Sequence, residues 1–86
     1  MTPIVIRKTI LAELAGASPY MLPAEQVLTA VNVRVRPQLS EKELQGHLRW
    51  LADNRMVDCE SDELDPKSES LRKWFILEAG RAALRR

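Results

Sequence analysis

The first apolar residues, Ile6, Ile10, Leu11 and Leu14, recur at spacings of four, one and three, the period of one face of an α-helix. Thr2 followed by Pro3 supplies an N-cap and a favoured first helical position, so the pattern predicts a helix over residues 3 to about 15. Gly16 reads as its stop, and Ser18 and Pro19 continue the break. Tyr20, Met21 and Leu22 lie between two prolines, too few for a helix and suited to a short strand that pairs with a later hairpin. Pro23 restarts a helix at its first position, with Val27, Leu28 and Val31 as the buried stripe and an end near Asn32. Residues 33–36 alternate apolar and basic before Pro37, which leaves open a strand, an extended linker or the frayed end of the second helix.

Ser40 with Glu43 three residues later is a capping box ahead of an apolar-periodic run, and it predicts a third helix over residues 41 to 54. At about 100° per residue, Leu44, Leu48, Leu51 and Arg55 share one side, with Lys42, Gly46, Arg49 and Asp53 opposite. The pattern then turns extended. Met56, Val57 and Cys59 form one strand, and Leu71 to Leu77 the strongest strand in the chain, with Phe75 pointing away from Trp74 and Ile76. Between them a polar tip, residues 61–70, carries Asp65 and Pro66 as turn formers. Residues 78–86 hold the good helix formers Ala79, Ala82, Ala83 and Leu84, although Gly80 weakens the first turn. The expected fold class is mainly α with a small β-hairpin (α+β), in one domain over residues 1–86.

Length limits function. A chain of 86 residues buries only about 60 to 65% of its unfolded surface, so a deep substrate cavity would compete with the core, and binding at the surface is expected. One cysteine, Cys59, excludes an internal disulfide, and with one histidine, His47, there is no zinc set of recognisable spacing. No metal, cofactor or small-molecule substrate is expected. No apolar run approaches a membrane span, and charges at Arg7, Lys8 and Glu13 break any signal-like stretch, so a cytoplasmic location is the expectation. The start and stop read as those of a stand-alone protein rather than a piece of a larger assembly.

Net charge is +1, but its distribution is lopsided. Residues 58–69 carry six carboxylates against Lys67, a local charge of −5, so the rest of the chain sums to +6.

Specific residues carry a resemblance. Leu44, Leu48, Leu51, Met56 and Val57 resemble the register of the third helix and first wing strand of winged helix-turn-helix regulators of the bacterial MarR and PadR types. In those families the wing is often followed by aromatic, any, aliphatic, Thr, two residues, Gly, Arg, and the run Trp74, Phe75, Ile76, Leu77, Glu78, Ala79, Gly80, Arg81 is similar to it. The likeness covers most of the chain from about Ile4 and is shared by a very large superfamily. It implies a three-helix core, a wing over residues 56 to 77 and a short C-terminal helix. Two positions depart from it. Arg55 stands where a Gly often turns the backbone left-handed, so either Asn54 takes that conformation or the turn differs, and Leu77 stands where a Thr would cap the last helix.

The resemblance implies a bacterial or phage-type transcription regulator that lays its third helix in the major groove of duplex DNA. Carried over, Lys42, Gln45 and Arg49 face the bases, since Arg and Lys suit guanine acceptors and Gln suits adenine. Ser40 and the amides behind it are placed to take a phosphate. Gly46 permits close approach, at about 0.5 to 1 kcal/mol relative to Ala. Arg34 and Arg36 are candidates for phosphate contacts ahead of the helix. Lys, Gln and Arg are also the ordinary residues of any solvated helix face. The acidic wing argues against a docking wing, because five net negative charges repel phosphates. The alternative is a winged-helix protein-interaction module in a larger assembly that does not bind DNA, with Trp50, about 240° around the third helix from Leu44, and Phe75 as partner-binding residues. A homodimer through the first and last helices is a further expectation. No enzyme is expected: His47, at about 300°, has no nucleophile beside it, Cys59 reads as a small buried hydrophobe, and the acidic loop lacks the ligand spacing of a calcium site.

Overall fold

A computed structural model describes residues 2–68 and 71–85, so Glu69, Ser70 and Arg86 of the expected wing and C-terminal helix lie outside the described residues. Thr2 caps helix α1 (Pro3–Ala17): its hydroxyl accepts from the Val5 amide at 3.4 Å, and Pro3 takes the first helical position, where its missing N–H is no loss. Ile6, Ile10, Leu11 and Leu14 are the buried stripe, as their spacing requires. The helix does not stop at Gly16. It runs to Ala17, Gly16 has no left-handed backbone, and the Ser18 amide closes the end on the Ala15 carbonyl at 3.3 Å.

Strand β1 (Leu22–Pro23) starts later than expected and is shorter. Pro23 sits one place before helix α2 (Ala24–Arg34), as its extended N-cap rather than its first helical residue. Of the alternatives for residues 33–36, the helix takes Val33 and Arg34, and Val35 leaves it in extended conformation with its side chain buried. Asn32 then fixes the turn: its side-chain amide donates to the Leu39 carbonyl at 3.1 Å while its oxygen accepts from the Leu39 amide at 2.8 Å. That two-way clamp satisfies both backbone groups of the residue that enters helix α3 and buries Leu39 beneath it.

Helix α3 (Glu41–Asp53) begins at a complete capping box, Ser40 Oγ accepting from the Glu43 amide and Glu43 Oε1 from the Ser40 amide, both at 3.1 Å. Leu44, Leu48 and Leu51 are wholly buried. Arg55 does not share their side: it has left the helix, is exposed and has φ 59°. The Met56 amide donates to the Leu51 carbonyl at 2.9 Å and the Arg55 amide to Ala52 at 3.0 Å, the paired closure of a Schellman motif with Arg55 at the left-handed position. Arg55 itself, not Asn54, takes the conformation for which glycine is usual.

Strands β2 (Val57–Glu60) and β3 (Lys73–Ile76) pair antiparallel, with Val57 opposite Ile76 and Cys59 opposite Trp74. On the other side β3 pairs antiparallel with β1, Leu22 opposite Trp74, so the sheet order is β1-β3-β2. Strand β3 is shorter than its apolar run, and β2 starts at Val57 rather than Met56 and continues to Glu60. Alternation holds: Trp74 and Ile76 are buried, and Phe75 points away and is half-buried. Helix α4 (Glu78–Leu84) starts at Leu77 with no side-chain cap, as Leu in that place implies. Gly80 is packed rather than merely tolerated: a Cβ there would lie 2.4 Å from the Met56 carbonyl oxygen and 2.8 Å from Ile76 Cγ1. Its lack of a side chain lets α4 close onto the start of the hairpin. Among the described residues the fold is thus an α+β domain of four helices and a three-stranded antiparallel sheet, with α1 central and touching α2, α3, α4 and β3.

Candidate nucleic-acid interface

The core-facing leucines of α3 orient its other side outward. Lys42, Gly46 and Arg49 are exposed along one line of the helix and Gln45 is half-buried beside them. Nothing in the protein lies within 4 Å of where a Gly46 Cβ would stand, so the middle of this face is open. The face is held from three directions, by the Asn32 clamp before it, the capping box at its start and the Schellman closure at its end. It is polar rather than strongly basic. Glu41, Glu43 and Asp53 outnumber Lys42 and Arg49 within the helix, and Asp53 is itself exposed.

Ser40 is exposed at the helix start, but the anion seat expected there is already filled by the chain's own carboxylate. The Ser40 amide, and then the Ser40 hydroxyl, hold the Glu43 carboxyl below its ordinary value, so Glu43 stays anionic where a phosphate would arrive. Arg34 and Arg36 are both exposed at the end of α2. Arg34 Nε lies 3.5 Å from Glu13 Oε1, and Arg36 donates from Nη1 to the Asn32 carbonyl and, at 3.0 Å, to that of Val35. The structure thus brings Lys42, Gln45, Gly46 and Arg49 together on α3, while Arg34 pairs with Glu13 of α1 and Arg36 bonds carbonyls at the end of α2.

Trp50 stands on the flank of α3, 40% exposed, with the Arg7 guanidinium 3.8 Å from the centre of its ring. Burial lowers the His47 imidazole below its ordinary value, the Arg7 charge lowers it further, and Glu43 opposes both. His47 is therefore neutral at pH 7. Cys59 is half-buried and its thiol is raised, first by burial, with Asp58 adding to the shift and Arg72 opposing it, so it is not a reactive thiolate. Sequence reasoning missed Arg7 and Asn32. Arg7 lies far along the chain from Trp50, and Asn32 looked like a simple helix end. Helix position did place Arg7 beside Ile6, on the border of the buried stripe, where a long cation reaches a neighbouring helix.

Among the described residues no three His, Cys, Asp or Glu side chains are grouped to hold a metal ion, and no helix is long and apolar enough to cross a membrane. No protein-family model, no curated protein and no solved structure matches the chain, so the likeness to winged helix-turn-helix regulators rests on its own residues.

Proposed function

We propose that this chain is a winged helix-turn-helix domain that binds duplex DNA through α3, in the manner of a small transcription regulator. The observation that carries the reading is the open outer face of α3, where Lys42, Gln45 and Arg49 surround a glycine with no protein atom in front of it. The element order, with a short strand after α1 completing the sheet of a hairpin that follows α3, supports it. In the major groove, Lys42 and Arg49 meet guanine acceptors, Gln45 meets adenine, and Gly46 lets the helix approach closely. The ion pair of Arg34 is 65% exposed on the arginine side, so exchanging Glu13 for a phosphate loses little. Lys42, Arg49 and Arg34 supply the salt-dependent, sequence-independent part of the affinity, and specificity comes from base-edge contacts.

The test is anisotropy of labelled random-sequence duplex DNA, at about 50 and 200 mM salt, against the protein and its Lys42→Glu/Arg49→Glu variant. Binding in the micromolar range that falls steeply with salt and is lost in the variant is the expected result. Absence of binding at the lower salt overturns it and favours the protein-interaction alternative.

A further inference from the structure

The side of the molecule bearing the hairpin tip has a different character from α3. Strand β1 flanks β3 only at Lys73 and Trp74, and before Leu22 the chain leaves the sheet. A cavity of about 320 Å³ opens there, with Leu14, Met21 and Phe75 in its wall and Tyr20, 78% exposed, at its mouth. A second, of about 350 Å³, lies under the hairpin tip against Leu64 and Leu71. Both are lined by Met21 and Glu60, so they form one groove. Its apolar members include the most exposed large hydrophobic side chain of the described residues, Leu64 at 96%, which leaves nearly all of its apolar surface in water.

The rim is acidic. Glu60, Asp62 and Glu63 line the tip end, with Lys73 the one cation among the lining residues. Carboxylates exclude a nucleic-acid backbone, and apolar walls are of no use to a simple cation. Among the described residues the arginines of the last helix and its end are engaged: Arg81 Nη2 donates to Ser18 Oγ at 2.8 Å, at the far end of the groove, and Arg85 pairs with Glu78 at 3.2 Å. We infer that this groove docks a basic, amphipathic segment of a partner protein, with Leu, Phe or Trp anchors against Met21, Phe75 and Leu64, and Lys or Arg side chains against Glu60 and Glu63. Charge sets the orientation, basic residues toward the hairpin tip and away from Arg81. The surface is independent of α3, so the domain joins DNA on one element to a protein on another.

A displayed library of random peptides, selected on the immobilised full chain, tests this. Expected is enrichment of sequences that interleave Lys or Arg with Leu, Phe or Trp. The selected peptides, made free, bind more weakly at higher salt, lose about tenfold or more in affinity to Glu60→Lys/Glu63→Lys, and lose affinity to Leu64→Ser. Leu64→Ser leaves the circular dichroism melt unchanged, because that side chain is almost fully exposed, and Lys42→Glu/Arg49→Glu binds the peptides as the parent does. Enriched sequences without basic residues, no enrichment over bare support, or equal affinity for the Glu60/Glu63 variant overturns the proposal. So does a dimer in sedimentation that Leu64→Ser abolishes, which would place a second copy in the groove.

Discussion

Gly46 and Gly80 are both helical glycines, and their surroundings are opposite. Gly80 is pressed against the Met56 carbonyl and Ile76, where a single added carbon has no room, whereas Gly46 faces open space with no neighbour at all. From sequence each looks like the same modest loss of helix propensity. In the folded chain one serves the protein's own packing, and the other leaves the surface beside it open. The start of α4 is therefore a packed region and the middle of α3 an open one.

The largest effect that sharpens this contrast is Gly80→Ala. The added methyl must displace backbone or the Ile76 side chain, and the expected loss is about 1 to 3 kcal/mol, or a melting temperature lower by roughly 4 to 8 °C per kcal/mol. An unchanged melt would break the contrast. Next is Arg55→Gly, at the end of α3: relief of the left-handed backbone at φ 59° stabilises the fold by about 1 kcal/mol, read as a higher denaturant midpoint with an unchanged slope. Smaller still, Gly46→Ala raises stability by about 0.5 to 1 kcal/mol, whereas Gly46→Leu leaves the fold intact and lowers duplex-DNA affinity by about tenfold or more. If Gly46→Leu binds DNA as the parent does, the open face is not the contact surface.

The smallest effect is on pH. The folded state holds His47 below its ordinary value of 6.5 and Glu43 below 4.5, so at each group the unfolded chain takes up the proton first. From these two groups stability declines as pH falls through the imidazole range and declines further through the carboxylate range. His47→Gln flattens the first step in melts taken between pH 7 and 5, and Glu43→Gln the second.

What the sequence revealed depended on range. Thr2 with Pro3 and Ser40 with Glu43 are local signals whose partners lie within one turn, and both caps form as read. The Leu44, Leu48, Leu51 stripe and the Phe75 alternation are likewise local periodicities. Gly16 misled because its conformational freedom permits a stop without requiring one, and Ala17 extends the helix at little cost. Gly80, Asn32 and Arg7 were opaque for the opposite reason: each is explained by a residue elsewhere in the chain. At the proposed site the types and the shared face of Lys42, Gln45, Gly46 and Arg49 were legible, while the seating of the Glu43 carboxylate in the helix end, the pairing of Arg34 with Glu13 of α1 and the use of Arg36 at the end of α2 depend on contacts that residue types alone do not display.

The sheet of three strands ends in two open borders among the described residues, β1 on one side and β2 on the other. A border strand with bare amides and carbonyls invites another chain to add a strand, the first step toward aggregation. Each border here carries its own deterrent. Pro23 removes an amide from the already brief β1, and β2 carries exposed Asp58 and Glu60, so the β2 of a second copy laid along it would set like charges near theirs. The acidity of the hairpin thus has a second use that involves no partner: it keeps copies of a small protein from joining edge to edge.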